Sequence, residues 1–430
     1  MNKNKYNLLL CSAASIALVL CAEGAWAQSS DIPQLQSKEK NCEDNILKDQ
    51  IKYSNFTLLT AGEINATYND NIYHVSSGKT GDLITSAKPE AIIKSNWKKH
   101  SIRLNTNAEL GHYMSKNSND YTDFNTKLSG RYDTSDLTGV DVLARYQYNH
   151  NDIGSSLDEP ESTLKDPVIF EVASLGLSFN GAIDKTYSYD VGVTSDWYDY
   201  RNTKRRDGTT SIYDDKDHRE TWVTAKLARR ITPASTIFAK IGQLMLNYDK
   251  QIDTTATIGH NSKGYLALVG MQGYAQGIDW SIAAGYRGQN YDNASLPDIT
   301  TLGASIYANF ALDKISSVSA LLDRDIKDSI STGVSGYVET KAKLAYDRRL
   351  NQNWSGQVAA EYRFNDFKSN FSLSGINRED KIFEPSTTLT YDINDQAKLD
   401  LKYAHQDRNS NQAGIDYKAN IISVGFKAKY

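Results

Sequence analysis

The last eleven residues of the chain, 420–430, place the strongest constraint on its fold. Their side chains alternate strictly, and the apolar face ends on an aromatic residue: Ile422, Val424, Phe426, Ala428 and Tyr430. A period of two over about ten residues is the pattern of a β-strand with two unlike faces. Such a strand suits a wall with lipid on one side and water on the other, although a strand of a soluble β-sandwich has the same local pattern.

Similar alternating segments recur along most of the chain. We predict strands near residues 56–68, 83–95, 100–114, 121–132, 137–148, 168–180, 186–200, 219–230, 235–248, 263–274, 279–291, 299–312, 316–325, 335–346, 354–365, 381–391, 396–406 and 416–430. Short connections alternate with longer polar ones, as expected for tight periplasmic turns and long outer loops. The predicted fold is all-β: a single transmembrane antiparallel β-barrel of about 18 strands, with 16 as the alternative. A barrel of this size encloses an aqueous lumen.

The closing strand also resembles the signal that directs barrels into the outer membrane of Gram-negative bacteria, because it is terminal and ends on an aromatic residue. The residues that would carry this insertion signal are Ile422, Val424, Phe426 and Tyr430. The resemblance implies two partners, the barrel assembly machinery and the lipid of the outer membrane. The expected location is accordingly the cell outer membrane.

The composition agrees with a barrel and disfavours two other classes. The mean hydropathy is −0.54, and the chain has 27 Tyr but only 4 Met. A helical membrane protein would be far more apolar, and after the N-terminal region no stretch approaches the ~18 consecutive apolar residues of a transmembrane helix. The net charge of −4 and the lack of a long Lys/Arg run disfavour nucleic acid as a partner.

The chain begins with the features of a secretory signal peptide. A basic start and an apolar run precede an A-x-A cleavage site that ends at Ala27. The predicted organisation is a signal peptide at 1–27, a periplasmic N-terminal tail at 28–54 and the outer-membrane barrel at 55–430. Cys42 is the single cysteine of the predicted mature chain, so it has no partner for an internal disulfide.

The motifs of common enzyme classes are missing from the sequence. It has no G-x-S-x-G, H-E-x-x-H, Walker A or C-x-x-C pattern, and its seven His residues are dispersed. His150 beside Asp152 and His218 beside Asp217 are the candidates for a hydrolytic pair near the outer rim, but solvated loops explain both more simply. We therefore predict no catalytic, metal or cofactor-binding residues.

Polar residues on the predicted inner face are the candidates for a pore lining. In the strand near 100–114, Leu104 and Leu110 would face lipid, which turns Arg103 and Glu109 inward. The same phase gives the predicted lining: Arg103, Glu109, Asp123, Arg131, Asp141, Arg145, Arg287, Glu339, Lys341, Glu361, Arg363 and Asp400. A lining of both signs suits neutral or weakly charged hydrophilic solutes, whereas an ion-selective pore favours one sign. The alternative is that these charges pair across strands and only make the wall polar.

Two features of the predicted interior have no single interpretation. At Phe238, Leu244 and Leu246 the alternation is ambiguous, and a bulge at Gly242 would shift the register. The predicted outer loop at 149–167 is rich in acidic residues, so it could also fold inward as an acidic constriction.

The stretch 61–89 reads AGEINATYNDNIYHVSSGKTGDLITSAKP and joins the first predicted strand to the second. The first strand ends in Tyr68-Asn69-Asp70-Asn71-Ile72-Tyr73, and the second opens with Gly81-Asp82-Leu83-Ile84-Thr85 and reaches Pro89. This stretch resembles the start of the Putative beta-barrel porin 2 family of Gram-negative outer-membrane proteins, and the repeated strand pattern extends the resemblance over most of residues 55–430.

The resemblance implies a single large barrel that forms a pore and carries no catalytic motif. Several members of the family lie in gene clusters for exopolysaccharide or capsule production. The implied function is a pore that assists export of such a polysaccharide, with periplasmic polysaccharide export proteins as further partners.

Two other functions stay open at this point. One is a general diffusion porin for small hydrophilic solutes, and the other is a rim-site hydrolase or an adhesin that uses the barrel as an anchor. Neighbouring genes for glycosyltransferases and chain-length control would favour export over diffusion.

Overall fold

A computed structural model describes residues 51–155, 163–250, 259–329, 331, 334–369 and 377–429. Within these ranges the chain forms eighteen long strands of 13 to 16 residues. They are β1 (Phe56–Asn69), β2 (Asp82–Ser95), β3 (Ser101–Tyr113), β4 (Tyr121–Asp133), β5 (Thr138–Asn151), β6 (Val168–Ala182), β7 (Tyr187–Tyr200), β8 (His218–Thr232), β9 (Ser235–Tyr248), β10 (Ser262–Ala275), β11 (Ile278–Tyr291), β12 (Ile299–Ala311), β13 (Ser316–Asp328), β14 (Val334–Arg349), β15 (Trp354–Ser369), β16 (Glu379–Asp392), β17 (Ala397–Ser410) and β18 (Tyr417–Lys429).

The described part of the chain also contains short strands and 3₁₀ helices. The strand Ile51–Tyr53 belongs to the same sheet as the long strands. Two further short strands, Thr203–Lys204 and Thr210–Ser211, and two 3₁₀ helices, Asn117–Asn119 and Asp214–Lys216, lie in the connections. No helix in these ranges is long and apolar enough to cross a membrane.

The sheet closes on itself. Each long strand pairs antiparallel with the next in the chain, and β1 pairs with β18 from Ala61↔Lys429 to Asn69↔Ile421. Pairing of this kind removes both sheet edges, so every barrel strand has two hydrogen-bonded neighbours. The predicted antiparallel barrel of 18 strands is thereby confirmed.

The two ends of the barrel differ in the length of their connections. At one end the turns run from two residues, at 233–234, to five, at 96–100. At the other end the loops reach seventeen residues, at 201–217. Short turns mark the periplasmic end of such a barrel and long loops its outer end, as the sequence predicted.

Asp or Asn begins several of the periplasmic turns and fixes their geometry. The Asp184 carboxylate accepts hydrogen bonds from the backbone N–H groups of Thr186 and Tyr187, at 2.6 and 2.7 Å. The Asn394 side chain does the same for Gln396 and Ala397, at 2.8 Å each. Side-chain acceptors of this type stabilise tight reversals, which hold the register of the two strands they join.

Large apolar side chains at alternate strand positions cover the outside of the barrel. Val269 is 67% exposed and Val358 is 61% exposed, and similar residues surround the wall. A water-soluble protein rarely exposes so large an apolar surface, so this band is the face that lipid covers.

Strand β9 has no bulge at Gly242. Its register with β8 is continuous through that residue, and the shift in this pair lies near the periplasmic end, between Arg230 and Thr232. The ambiguity in the sequence therefore has a different cause.

The ambiguity arises because both faces of β9 are apolar. Ile241 is strongly exposed on the outside, which turns Phe238, Leu244 and Leu246 into the barrel. Alternation between apolar and polar residues cannot set the phase of a strand that has no polar face. The structure thus places aliphatic side chains on this part of the inner wall.

The N-terminal part of the described chain extends the sheet. Ile51–Tyr53 pairs antiparallel with the start of β1, with Tyr53 opposite Phe56. The predicted signal peptide, the predicted tail up to residue 50 with Cys42, and Tyr430 of the predicted insertion signal lie outside the described residues.

Candidate pore interior

The twelve residues predicted to line a pore lie at strand positions that point to the inner face. In β5, for example, Val142 and Tyr146 are exposed on the outside, so Asp141 and Arg145 point inward. The structure gives the positions of these residues, and their contribution to solute passage stays a prediction.

At the periplasmic end, inward charges pair while they remain accessible to water. Arg131 Nη1 lies 3.1 Å from Asp141 Oδ2, and Arg131 Nε lies 2.8 Å from Asp133 Oδ1. The side chains of Arg131 and Asp141 are 36% and 37% exposed. Ion pairs this accessible contribute at most about 1 kcal/mol, so they make the wall polar without fixing it rigidly.

Further along the lumen the pairs are less accessible. Arg145 Nη2 lies 3.2 Å from Asp196 Oδ1, and its Nε donates to Ser174 Oγ at 3.0 Å. On a neighbouring part of the wall, Lys88 Nζ lies 3.0 Å from Glu109 Oε2. These contacts join different strands, which matches the alternative in which charges pair across the wall.

The strands β14 to β16 carry a second group of paired charges. Glu361 accepts from Arg363 Nε at 2.5 Å and lies 3.6 Å from Lys343 Nζ. Arg363 is also 3.6 Å from Glu384, while Lys341 is the cross-strand neighbour of Arg363. Positively and negatively charged side chains therefore lie at the same level of the lumen.

Two more of the predicted residues have local hydrogen-bond partners. Arg103 Nε donates to Asn105 at 2.9 Å, and Thr390 Oγ1 donates to Asp400 at 2.5 Å. Glu339 is the cross-strand neighbour of Asp325 on β13.

A buried ion pair near the outer end was not identified from the sequence. Arg408 Nη2 lies 2.7 Å from Asp380 Oδ2, and both side chains are 0% exposed. Arg378 also pairs with Asp380, at 2.6 Å, and its guanidinium lies 4.0 Å from the centre of the Phe367 ring. Two buried charges need close partners to offset their desolvation, and these pairs supply them. Alternation in the sequence could have shown that Asp380 and Arg408 point inward. It does not show how deeply a side chain is buried.

A second, partly buried carboxylate, Asp328, lies at the outer end of β13. It accepts hydrogen bonds from Tyr248 Oη at 2.5 Å, Tyr291 Oη at 3.1 Å and Gln289 Nε2 at 3.2 Å. The donors come from β9 and β11, so their side chains reach across the inside of the wall to β13. This cluster ties three strands of the outer half of the wall together.

An apolar cluster lies beside these polar groups on the inner face of β8, β9 and β10. It consists of Trp222, Leu244, Leu246, Tyr248, Leu266 and Leu268, all buried. Sequence reasoning left the two leucines of β9 ambiguous and did not identify the cluster. Each of these strands also has an exposed apolar outer face. Apolar residues at successive positions, and not only at alternate ones, could have indicated an apolar inner face.

A cavity of about 200 Å³ separates the apolar cluster from charged residues of β11 and β13. Its walls include Trp222 and Leu266 on one side and Arg287, Gln289 and Asp325 on the other. Arg287 Nη1 lies 2.6 Å from Asp325 Oδ1, which fixes the guanidinium at the edge of the cavity.

Three outer loops pack against one another over the same end of the barrel. Their apolar contacts join the connections at 70–81, 152–167 and 201–217 through one group of side chains: Ile153, Leu164, Val168 and Tyr213, with Tyr73 and Tyr200 packed against them. Gly154 shows how closely two of these loops approach, because a Cβ there would lie 2.4 Å from the carbonyl oxygen of Tyr73. The acidic residues at 158, 159 and 161 of the predicted constriction lie outside the described residues.

Ionisable groups in these loops are tied into the packing. Burial lowers the pKa of His74, and its Nδ1 lies 3.1 Å from the carbonyl oxygen of Ile153. Burial by itself would raise the pKa of Asp152, but hydrogen bonds from His150 and Tyr113 and the charge of His150 outweigh it and lower the pKa. The loop is thereby fixed to the wall by charge as well as by apolar contact.

The two candidate hydrolytic pairs are engaged in other contacts. His150 Nδ1 lies 2.8 Å from Asp123 and its Nε2 lies 3.2 Å from Asp152, so carboxylates occupy both ring nitrogens. His218 Nδ1 lies 2.8 Å from the carbonyl oxygen of Lys216, and its ring stacks on Tyr198 at 4.4 Å. In neither arrangement is a ring nitrogen directed at a hydroxyl nucleophile.

In the ranges that the structure describes, no group of three or more His, Cys, Asp or Glu residues is arranged to hold a metal ion.

A closed barrel with a lipid-facing apolar band and a charged inner wall defines an outer-membrane barrel of the porin type. The chain belongs to the Putative beta-barrel porin 2 family, whose sequence profile matches residues 51–430. It is accordingly a protein of the cell outer membrane.

Solved structures with a similar fold are outer-membrane barrels. OccAB4 of Acinetobacter baumannii is 11% identical, with 87% of this chain and 98% of that chain covered and a TM-score of 0.45. OpdK of Pseudomonas aeruginosa, solved with vanillate, is 11% identical, with coverage of 87% and 99% and a TM-score of 0.47. OccK3 (OpdO) of Pseudomonas aeruginosa is 14% identical, with coverage of 86% and 96% and a TM-score of 0.45. A comparison with proteins of curated function gave no match.

Proposed function

We propose that this protein conducts saccharide-type solutes through its lumen across the outer membrane. The observation that carries the proposal is the inner wall, on which Arg145–Asp196 and Arg363–Glu361 pairs place both signs at the same depth. Sugar hydroxyls accept hydrogen bonds from guanidinium groups and donate to carboxylates. A wall of this kind exchanges hydrogen bonds with a neutral solute along its path without trapping it.

The packed outer half of the lumen favours a selective pore over a general diffusion porin. A diffusion porin of this strand number needs an open aqueous channel. Here the buried Arg408–Asp380 pair and the Asp328 cluster occupy the inner wall, and three loops pack above them. We therefore propose that the outer end opens only for particular solutes.

Within this function, we propose export of an exopolysaccharide or capsule-type polysaccharide. The support is the resemblance at 61–89 together with a wall suited to neutral or weakly charged sugars. Periplasmic polysaccharide export proteins are the proposed partners at the end that carries the short turns. We propose a channel rather than an anchored hydrolase, because both ring nitrogens of His150 already contact carboxylates.

Deletion of the gene in its native host tests the direction of transport. We expect less polysaccharide at the cell surface and accumulation of the same polymer in the periplasm, with both restored by the intact gene. The matched comparison is uptake of small sugars by the same strains. Unchanged surface polysaccharide together with slower sugar uptake would contradict export and support diffusion.

A further inference from the structure

The apolar cluster inside the barrel lies beside charged residues of the wall. Trp222, Leu244, Leu246 and Leu266 project from three consecutive strands in the outer half of the lumen, and all are buried. A water-filled pore gains nothing from aliphatic side chains on its inner face, because exposing them to water costs free energy. Their position beside a cavity suggests contact with the apolar part of a solute.

The opposite side of the cavity is polar and held in place by neighbouring side chains. Asp325 lies 2.6 Å from Arg287 Nη1 and 3.7 Å from Lys327 Nζ. Gln289 Nε2 donates to Asp328 at 3.2 Å and to Ser262 Oγ at 3.0 Å. Polar groups fixed in this way lose little conformational entropy when a solute binds.

The chemistry of the two walls selects one class of solute. A purely apolar solute would leave buried polar groups without new partners, and a simple ion would meet groups of both signs. A sugar ring has an apolar face of C–H groups and an edge of hydroxyls. Its C–H face can lie against the indole of Trp222, whose ring face is negative, while its hydroxyls reach Arg287 and Asp325.

The size of the cavity limits how much of a saccharide can enter it. At about 200 Å³ it is smaller than the ~300–1,000 Å³ of pockets for drug-sized ligands. We propose that the cavity beside Trp222 is a binding site for one sugar ring of a saccharide inside the lumen. The inference rests on the proposed function for the class of solute, and it adds a defined place where the solute stops.

Direct binding to the purified full-length protein in detergent tests the site. Calorimetry with glucose, galactose and N-acetylglucosamine at millimolar concentration should detect weak binding of at least one sugar. Trp222→Ala should weaken it about tenfold, whereas Trp222→Phe should retain most of it because an aromatic face remains. Trp197→Ala is the matched control, since Trp197 lies on the adjacent strand with its side chain outside, and it should not change the affinity.

Lys327 also lines the cavity, on its polar side. Lys327→Met is therefore a second test that leaves the apolar wall intact, and it should also weaken sugar binding. The heat-dependent shift of the folded protein on gels shows whether each variant folds. Equal affinity in wild type, Trp222→Ala and Lys327→Met, or binding of benzoate without binding of any sugar, would overturn the site.

The outcomes separate this inference from the proposed function. A barrel that conducts and passes sugars while none binds at the cavity refutes the site alone. A barrel that binds sugar at Trp222 but conducts nothing refutes the pore and leaves the site.

Discussion

Charged residues with the same inward phase differ in how much water reaches them. Arg131 at the periplasmic end pairs in an accessible part of the lumen, whereas Arg408 at the outer end is fully buried against Asp380. Water can replace a lost partner in the first case and not in the second. The same substitution should therefore have unlike effects at the two positions.

Arg408→Leu should lower the free energy of unfolding by about 3 kcal/mol, because it leaves the buried Asp380 carboxylate with Arg378 as its remaining charged partner. Arg131→Leu should cost less than about 1 kcal/mol. Urea unfolding of the folded barrel in lipid vesicles measures both. Equal costs for the two single variants would contradict a packed outer half.

The carboxyl group of Asp217 in the outer loop at 201–217 gives a pH-dependent prediction. Its pKa is raised to about 6: burial is the largest cause, the carboxylates of Asp199, Asp214 and Asp249 act in the same direction, and the N–H of Tyr200 opposes them. The folded state thus binds this proton more tightly than the unfolded chain does, so stability falls as pH rises from about 4 to about 6.

Asp217→Asn should accordingly stabilise the fold at pH 8 and have little effect at pH 4. The amide oxygen can still accept the 2.6 Å hydrogen bond from the N–H of Tyr200. The temperature of the gel shift between folded and unfolded barrel, measured at both pH values, reports the difference. A stabilisation of the same size at pH 4 would show that the carboxylate charge is not its cause.

At the scale of the strand, the two faces of the wall meet different solvents. Leu128 on β4 lies outside near the middle of its strand, whereas Asn107 on β3 lies inside, opposite Glu90. Leu128→Arg should cost about 2 to 4 kcal/mol if the residue lies near the bilayer midplane. Asn107→Arg is the matched control and should cost little, since the new guanidinium faces Glu90. Urea unfolding in vesicles distinguishes them, and equal costs would argue against lipid on the outer face.

The closing strand β18 should govern delivery to the membrane. Ile422, Val424 and Phe426 are exposed on its outer face, while Ser423 lies inside and hydrogen-bonds to Thr67 at 2.9 Å. We propose that the barrel assembly machinery and the lipid both contact this apolar face.

Phe426→Asp should therefore lower the amount of protein in the outer membrane several-fold, and Ser423→Asp should leave it nearly unchanged. Immunoblots of outer-membrane fractions measure both. Equal amounts of the Phe426→Asp variant and the wild type would show that this face does not carry the signal.

Alternation in the sequence predicted most of the strands, because one face of each meets lipid and the other meets water or polar neighbours. It failed at Leu244 and Leu246, where both faces are apolar. The alternation predicted that Arg131 points inward, and it would have predicted the same for Arg408. It could not predict that Arg408 is buried. Burial depends on side chains from distant strands and loops, which no local pattern records.

Across the whole molecule, the lumen changes character from one end to the other. The periplasmic half carries accessible ion pairs, and the outer half carries buried pairs, an apolar cluster and packed loops. This gradient agrees with a pore in which the outer end presents the main barrier to solutes. The hairpin formed by Thr203–Lys204 and Thr210–Ser211 belongs to one of the packed loops and can be shortened without touching the wall.

Planar-bilayer conductance of the purified protein tests the central claim most directly. The wild type should give small ion-conducting steps, and replacing residues 204–210 by two glycines should enlarge them, because the backbone hydrogen bonds that join this loop to residues 163 and 165 are then lost. Arg145→Glu should change ion selectivity, since the wall would then carry two acidic groups at the level of Asp196. A folded barrel that passes no ions, in the wild type and in the shortened-loop variant alike, would contradict a pore.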